Sequence, residues 1–488
     1  MRQFYDRFMK SCLRYPSPAI CFAIINLTIF IFHKKWEAAR RYIHEIRLKN
    51  DIQITVVIIL FHLNELRGIM RIIHTSDWHL GQYFFTKSRA AEHKHFLHWL
   101  VEQIKNYQVD ALIVAGDVFD TGSPPSYARE LYNRFVVELQ PTGCQLIILG
   151  GNHDSVATLN ESKELLSCLN TTVIANAEEN PQKQIKILNT QEGNAGAILC
   201  AIPFLRPRDI MTSQAGQSGE QKQLALQEAI AEHYNRLYRQ ACELRDQLNI
   251  PLPVIATGHL TTIGASVTDS VRDIYIGTLD AFPAQAFPPA DYIALGHIHR
   301  PQIVAKSEHI RYSGSPIPLS FDEVGQEKSL CLVEFAQGKL ESIKLLPVPQ
   351  YQPMQLIRGN LQQIEQQLQT FNDYQGKQPV WLDIEVATQD YLHDIQKRIQ
   401  SMVAELPVEV ILLRRAKIQR QNILTKENRE TLTELSINEV FARRLEQTEL
   451  NDEEHKKRLT TLFEQTLNEI YNRIDFKMHR DGKGVNPR

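Results

Sequence analysis

The sequence predicts an α/β fold: a largely parallel sheet flanked by helices, a second sheet closing the core, then a small α/β domain and C-terminal helices. Three observations predict it. Apolar runs alternate with helical segments, and each run in the first part stops at a cluster of glycine, aspartate, asparagine or histidine. The chain is 43% hydrophobic and 23% charged, an ordinary globular balance, and its 488 residues suffice for two or three separate cores. From about residue 350 the apolar runs continue but the polar clusters stop, which marks a change of domain.

The first 69 residues do not match the rest. Ala19–Phe32 and Ile52–Leu63 are apolar runs, both shorter than the roughly 18–20 residues a membrane span needs. The basic start imitates a signal peptide, but no A-x-A-like site follows and Lys34-Lys35 comes next. The expectation is therefore an extension ahead of a true start at Met70, with no membrane anchor.

From Met70 the strand Arg71–Thr75 ends in Ser76-Asp77-Trp78-His79. A carboxylate and an imidazole stand two residues apart there, and an extended backbone would point both to one side. A helix over Ala90–Lys105 carries Phe96, Leu97, Leu100, Val101 and Ile104 at helical spacing. Ala111–Ala115 is wholly apolar, suited to burial on both faces, and ends in Gly116-Asp117-Val118-Phe119-Asp120. A second helix, Tyr127–Leu139, leads to the strand Gln145–Leu149 and to Gly150-Gly151-Asn152-His153-Asp154. Further on, Pro253–Thr257 ends in Gly258-His259, and Tyr292–Leu295 in Gly296-His297-Ile298-His299. The polar, helix-like stretch Arg206–Leu248 reads as an insertion over the site. Short β-type runs at Arg311–Ser313, Leu330–Glu334 and Ser342–Leu346 suggest the second sheet.

The later domain is read from strands Gln352–Ile357, Val380–Val386 and Val408–Leu413, with helices Leu361–Phe371 and Asp390–Val403 between them. Beyond it, Asn451 followed by Asp452-Glu453-Glu454 makes an N-cap with acids behind it. Leu459, Leu462, Phe463, Leu467, Ile470, Tyr471 and Ile474 then form an apolar stripe with little chain left to cover it, so a partner helix is expected. The resulting division is 1–69, 70–349, 350–418 and 419–488.

A net charge of −2 gives no global sign of nucleic-acid binding, so any such surface is a local basic groove or is shared with a partner. Seven scattered cysteines without a CxxC pair fit a reducing cytoplasm and exclude a zinc finger or disulfide framework. What remains is the strand-end set: Asp77, His79, Asp117, Asn152, His153, His259, His297 and His299. These are oxygen and imidazole donors without the thiolates that soft metals prefer. Any one of them has a bland structural explanation; five clusters that each follow a strand point instead to a two-metal site for phosphoryl transfer.

In order, Asp-x-His, Gly-Asp, Gly-Asn-His-Asp, Gly-His and Gly-His-x-His resemble the calcineurin-like metallophosphoesterases. Ser76-Asp77-Trp78-His79-Leu80-Gly81, Arg272-Asp273-Ile274-Tyr275-Ile276-Gly277 and Ser313-Gly314-Ser315-Pro316-Ile317-Pro318-Leu319-Ser320-Phe321 narrow the resemblance to the SbcD family, nuclease subunits of bacterial SbcCD complexes in double-strand-break repair. It runs from Met70 to the C-terminal region. It implies a metallophosphoesterase β-sandwich flanked by helices, with a small α/β domain capping the DNA. It implies one metal held by Asp77, His79, Asp117 and His299, and another by Asp117, Asn152, His259 and His297, with Asp117 bridging. His153 matches the family's catalytic histidine, which is not a ligand but orients the scissile phosphate and helps protonate the departing sugar oxygen.

The same resemblance implies manganese, with magnesium as a substitute, and ATP used by the SbcC partner rather than bound here. It implies cleavage of hairpins, ATP-dependent 3′ to 5′ degradation of duplex ends and endonuclease action on single strands, in recombination, replication and repair. The C-terminal helices would bind the SbcC coiled coil, and the helices Ala90–Lys105 and Tyr127–Leu139 would pair two copies, giving a heterotetramer. Arg206, Arg208, Arg300, Arg414 and Arg415 are candidate phosphate contacts, each equally readable as a solvated surface charge.

Two other readings stand beside this one. A protein phosphatase or small-substrate phosphodiesterase could share the fold. The phosphatases carry Arg where this chain has Thr121, after Gly116-Asp117-Val118-Phe119-Asp120, and the guanidinium that would grip a phosphoester is missing. A scaffold that has lost catalysis is the other, and the complete donor set argues against it.

Overall fold

In the computed structural model the described residues are 69–416, apart from 179, 212–217, 267, 269–270, 272–280 and 388–393, together with 458–463. The chain divides into two compact units, Met1–Ala416 and Lys417–Arg488. In the second, 458–463 are helical. The Asn451 cap, the stripe from Leu467 to Ile474, residues 1–68 and the Arg272 to Gly277 motif lie outside the described residues.

The first unit begins with β1 (Met70–Thr75), α1 (Ala90–Tyr107), β2 (Ala111–Val114), α2 (Ser126–Leu139), β3 (Gln145–Leu149) and β4 (Thr171–Ile174). The strands β1 to β4 pair in parallel, as the apolar runs and intervening helices predict for β1 to β3, and β4 adds a fourth strand beside β3. The second sheet is built from β5 (Ile185–Asn189), β6 (Ala195–Cys200), β7 (Val254–His259), β8 (Tyr292–Gly296), β9 (Gln302–Val304) and β10 (Ser307–Tyr312), in the order β9-β10-β8-β7-β6-β5. The long helix α3 (Gly219–Leu248) lies between β6 and β7 in sequence.

Two late strands depart from the sequence expectation. β11 (Ser329–Ala336) and β12 (Lys339–Pro347) do not join the second sheet. They extend the first, giving the order β12-β11-β1-β2-β3-β4 with β11 antiparallel to β1. The predicted segment Arg311–Ser313 belongs to β10 and does lie in the second sheet. The reason is that β1 has only one parallel neighbour and its other edge must be paired.

Alternation along the strands separates three cores. Ile73, Leu112, Val114 and Ile148 face α1 and α2, packing with Phe96, Leu100, Phe135 and Val136. Ile72, Ile113, Leu149, Leu199, Ile255 and Ala294 face inward between the two sheets. On the far side, Ile198, Val254, Ala256 and Ile293 pack against α3 through Leu226, Ile230, Tyr234 and Leu237. α3 is therefore a sheet-covering helix of the sandwich and not the insertion over the site that its polarity suggested. Its apolar stripe is sparse, which is why the stretch reads as polar along the sequence.

The small domain follows as β13 (Met354–Gly359), α4 (Leu361–Gln369), β14 (Val380–Val386), α5 (Ile395–Val403) and β15 (Val408–Arg415), with all three strands parallel. Asn360 caps α4 in a capping box with Gln363. One sheet face holds Ile357, Leu382 and Ile384 against Ile364, Leu368 and Ile399. The other presents Met354 and Trp381 to Phe84 and Phe321 of the sandwich.

Candidate metal centre

β1, β2, β3, β7 and β8 all end on one side, and the backbone bends sharply at several of these exits. Asp77 (φ 53), His79 (φ 46), Asp117 (φ 50) and His297 (φ 94) all hold positive φ. Such conformations cost non-glycine residues on the order of 1–3 kcal/mol each. Asp77 and His79 are thus not on extended backbone, as the spacing suggested, although both still turn into the site. Trp78 between them is fully buried, edge-on to Phe96 and Phe135 at 5.8 and 5.3 Å between ring centroids. Burying a ring of that size contributes about 3 kcal/mol, with up to about 1.5 more for each aromatic pair, enough to hold the strained turn. The Asp77 and His79 amides donate to Gly116 O (3.0 Å) and Asp117 O (3.1 Å), which locks the first two loops together.

The third loop needs its glycines for close approach. A Cβ on Gly150 would meet Ala175 O at 2.2 Å, and one on Gly151 would meet Asp117 Oδ1 at 2.1 Å. Asp154 then staples the second and third loops, its carboxylate accepting from the amides of Val118 (3.1 Å), Phe119 (2.9 Å) and Gly151 (2.9 Å).

All eight predicted site residues come together. Asp77, His79 and His299 form one group with donor atoms within 4.8 Å of one another, and Asp117, His259 and His297 form another at the same separation. Asp117 also groups with His79 and His153. Its Oδ2 lies 3.2 Å from His259 Nε2 and 3.7 Å from His79 Nε2, while Oδ1 accepts the His153 amide at 2.9 Å. Asn152 Oδ1 is 2.9 Å from His259 Nε2 and 3.1 Å from His297 Nδ1.

The donor set fits a cation. His259 Nδ1 donates to Ala115 O at 2.9 Å, so its neutral ring turns a lone pair on Nε2 toward Asn152 Oδ1 and Asp117 Oδ2. Acceptors then face acceptors, which a proton or a metal must reconcile. His79 donates from Nδ1 to Asp120 Oδ1 at 3.1 Å and leaves Nε2 buried without a hydrogen-bond partner, facing Asp117. The electrostatics agree. Burial opposes charge on His259, but Asp117 and then Asp77 raise its imidazole to about 9. Burial likewise opposes charge on Asp117, yet His259 and His79 hold its carboxyl well below the usual range. Burial and neighbouring His259 keep His297 well below its ordinary value.

Asp120, Glu323 and Lys328 are the neighbours that sequence reasoning missed. Asp120 accepts from His79 through its carboxylate and from His153 Nδ1 through its carbonyl at 2.7 Å, so one residue orients two imidazoles. Its place three residues after Asp117 was the available signal. Glu323 is buried 3.4 Å from His299 Nδ1 and pairs with buried Lys328 at 2.6 Å. Burial resists its charge, but His299 and Lys328 hold its carboxyl far below the ordinary range. Among the candidate basic residues, Arg206 reaches Asp154 O at 3.3 Å beside the site, and Arg414 is bound to Asp383 at 2.6 Å. Arg208, Arg300 and Arg415 are exposed.

Comparison with known proteins agrees with this geometry. Residues 70–301 match the calcineurin-like phosphoesterases, which makes the chain a phosphoester hydrolase of the divalent-metal class, and 350–449 match the type 5 capsule protein repressor C-terminal domain. The chain is 61% identical over 402 residues to the SbcD subunit of the SbcCD nuclease of Escherichia coli, covering 82% of this chain and 98% of that one. The SbcD subunit of Rhodobacter capsulatus is 36% identical over 299 residues (58% of this chain, 71% of that one), and that of Bacillus subtilis 29% over 327 (66% and 80%). The chain belongs to the SbcD family of SbcCD nuclease subunits.

Proposed function

We propose that this chain is the nuclease subunit of an SbcCD-type complex, cutting DNA with two divalent cations. The observation that carries this reading is the convergence of two donor groups on the Asp117 carboxylate. Asp77, His79, Asp117 and His299 would hold one ion, and Asp117, Asn152, His259 and His297 the other. Manganese suits this oxygen and imidazole set, and magnesium is the substitute. Such a pair supplies an activated water and a clamp on the attacking and departing oxygens of a phosphodiester. His153, held by Asp120 O and by its own amide on Asp117, places an imidazole at the rim to bind the phosphate and protonate the leaving sugar oxygen. Asp120 holds the proton on Nδ1 of that ring, so Nε2 is the atom that serves the substrate.

The substrates follow from the family: hairpins, duplex ends degraded 3′ to 5′ with ATP spent by an SbcC-type partner, and single strands cut internally. The relatives' names supply the partner and the class of activity. The small domain would face the DNA, with Arg206 and Arg415 as phosphate contacts. The outer faces of α1 and α2, where Val137 is exposed, would pair two copies in a complex with two of each subunit.

The test uses a hairpin-ended duplex with manganese, with and without an SbcC-type ATPase and ATP. Wild type should open the hairpin, while His153→Ala and Asp117→Asn should not. Hydrolysis of a simple phosphodiester with no DNA cleavage under any of these conditions would replace the substrate with a small molecule.

A further inference from the structure

Strand β8 leads directly into His297 and His299, and the segment 313–328 wraps behind it. Ser313 to Phe321 marks the family resemblance, yet none of these residues belongs to the donor set. Ser313 and Ser315 turn their side chains toward one half of it. Ser313 Oγ lies 2.9 Å from Ser76 Oγ, which donates to Asp77 Oδ2 at 2.5 Å. Gly314 (φ 76) passes so close that a Cβ there would meet His299 O at 2.7 Å.

The stronger feature is a buried ionic network. Lys328 is 5% exposed and donates to His299 O (2.9 Å), Ser315 Oγ (2.9 Å) and Glu323 Oε2 (2.6 Å). Glu323 is wholly buried. Its Oε2 also accepts the Leu319 amide at 3.0 Å, and its Oε1 accepts Thr268 Oγ1 at 3.1 Å while lying 3.4 Å from His299 Nδ1. Burying such a pair gains little stability over an apolar pair of the same size, so stability alone does not explain it. Its geometry does: carboxylate and ammonium both address His299, one at the ring and one at the carbonyl. A carboxylate on one ring nitrogen fixes the tautomer and orientation of the other.

We propose that Glu323, fixed in place by Lys328, is a positioning residue for His299, and that the segment 313–328 serves the Asp77–His79–His299 half of the metal pair alone. The inference rests on the two-metal reading above. The contacts named above reach the donor set at Asp77, through Ser313 and Ser76, and at His299, through Lys328 and Glu323, so the two halves should respond differently to alteration of this segment.

The experiment is a manganese titration of the full-length chain, followed by electron paramagnetic resonance and calorimetry, on wild type, Glu323→Asp and Glu323→Gln/Lys328→Met. The double variant removes both charges together and leaves no buried ion unpaired. Wild type should bind two ions. Each variant should keep one at wild-type affinity and bind the other roughly ten- to a hundred-fold more weakly. Hairpin cleavage by the variants should recover as manganese is raised, with the maximal rate restored, which a merely unfolded site would not do. Two sites of wild-type affinity in either folded variant would overturn the proposal and leave the two-metal reading standing. Equal weakening of both sites would also overturn it. Fewer than two ions on wild type would remove the two-metal reading itself.

Discussion

Asp117 sits at φ 50 with both carboxylate oxygens engaged, and its Oδ2 lies between His259 of one donor group and His79 of the other. That single residue makes the site sensitive to pH. The His259 imidazole, raised to about 9, is protonated below that pH until a metal displaces the proton. Ligation needs the neutral ring, so manganese uptake at about pH 7.5 should release a proton, and affinity should fall as pH falls. Calorimetry in two buffers of different ionisation enthalpy checks this, and equal apparent enthalpies would contradict it. His153→Ala should lower single-turnover hairpin opening by about 10²–10⁴-fold while manganese still binds, because in this reading the ring serves the substrate and the amide bond to Asp117 Oδ1 survives the substitution. All eight strand-end residues were legible in the sequence, since each follows an apolar run within a few positions. Asp120 and Glu323 were not, because their roles depend on which imidazole packs against them, and Glu323 meets His299 from 24 residues away.

Strand ends and turns make the next tier. Gly151→Ala should leave the sandwich folded by circular dichroism yet abolish tight manganese binding, because its Cβ would displace Asp117 Oδ1. Retention of both ions would show that the loop can yield. At the seam with the small domain, Trp381 stacks on Phe84 with centroids 5.6 Å apart and is 7% exposed. Trp381→Ala should cost about 3–5 kcal/mol, read as a lower urea midpoint, and an unchanged midpoint would mean that the seam contributes nothing. Elements were legible where the pattern is local: β3 and β14 end where the apolar runs end. β4, β5 and β6 gave less signal: Thr171–Ile174 opens on two threonines, Ile185–Asn189 fully buries only Leu188, and Ala195–Cys200 starts half-buried. Sheet membership was less accessible still. β11 and β12 look like any strand in sequence, and only the open edge of β1 decides which sheet they join.

For the whole chain, the reading joins a catalytic sandwich to a partner that supplies ATP hydrolysis. We propose that the C-terminal unit carries that link, as the family resemblance implies. Leu462 is 52% exposed on the helical stretch 458–463. Leu462→Asp with Phe463→Asp should abolish co-elution with an SbcC-type ATPase while leaving manganese-dependent single-strand cleavage intact. Among the described residues no helix is long and apolar enough to cross a membrane. The metal pair on Asp117 can be seen in a crystal of the chain grown with manganese and measured at the manganese absorption edge. Two anomalous peaks should flank the Asp117 carboxylate, one beside Asp77, His79 and His299 and the other beside Asn152, His259 and His297. A single peak, or peaks away from Asp117, would contradict the account.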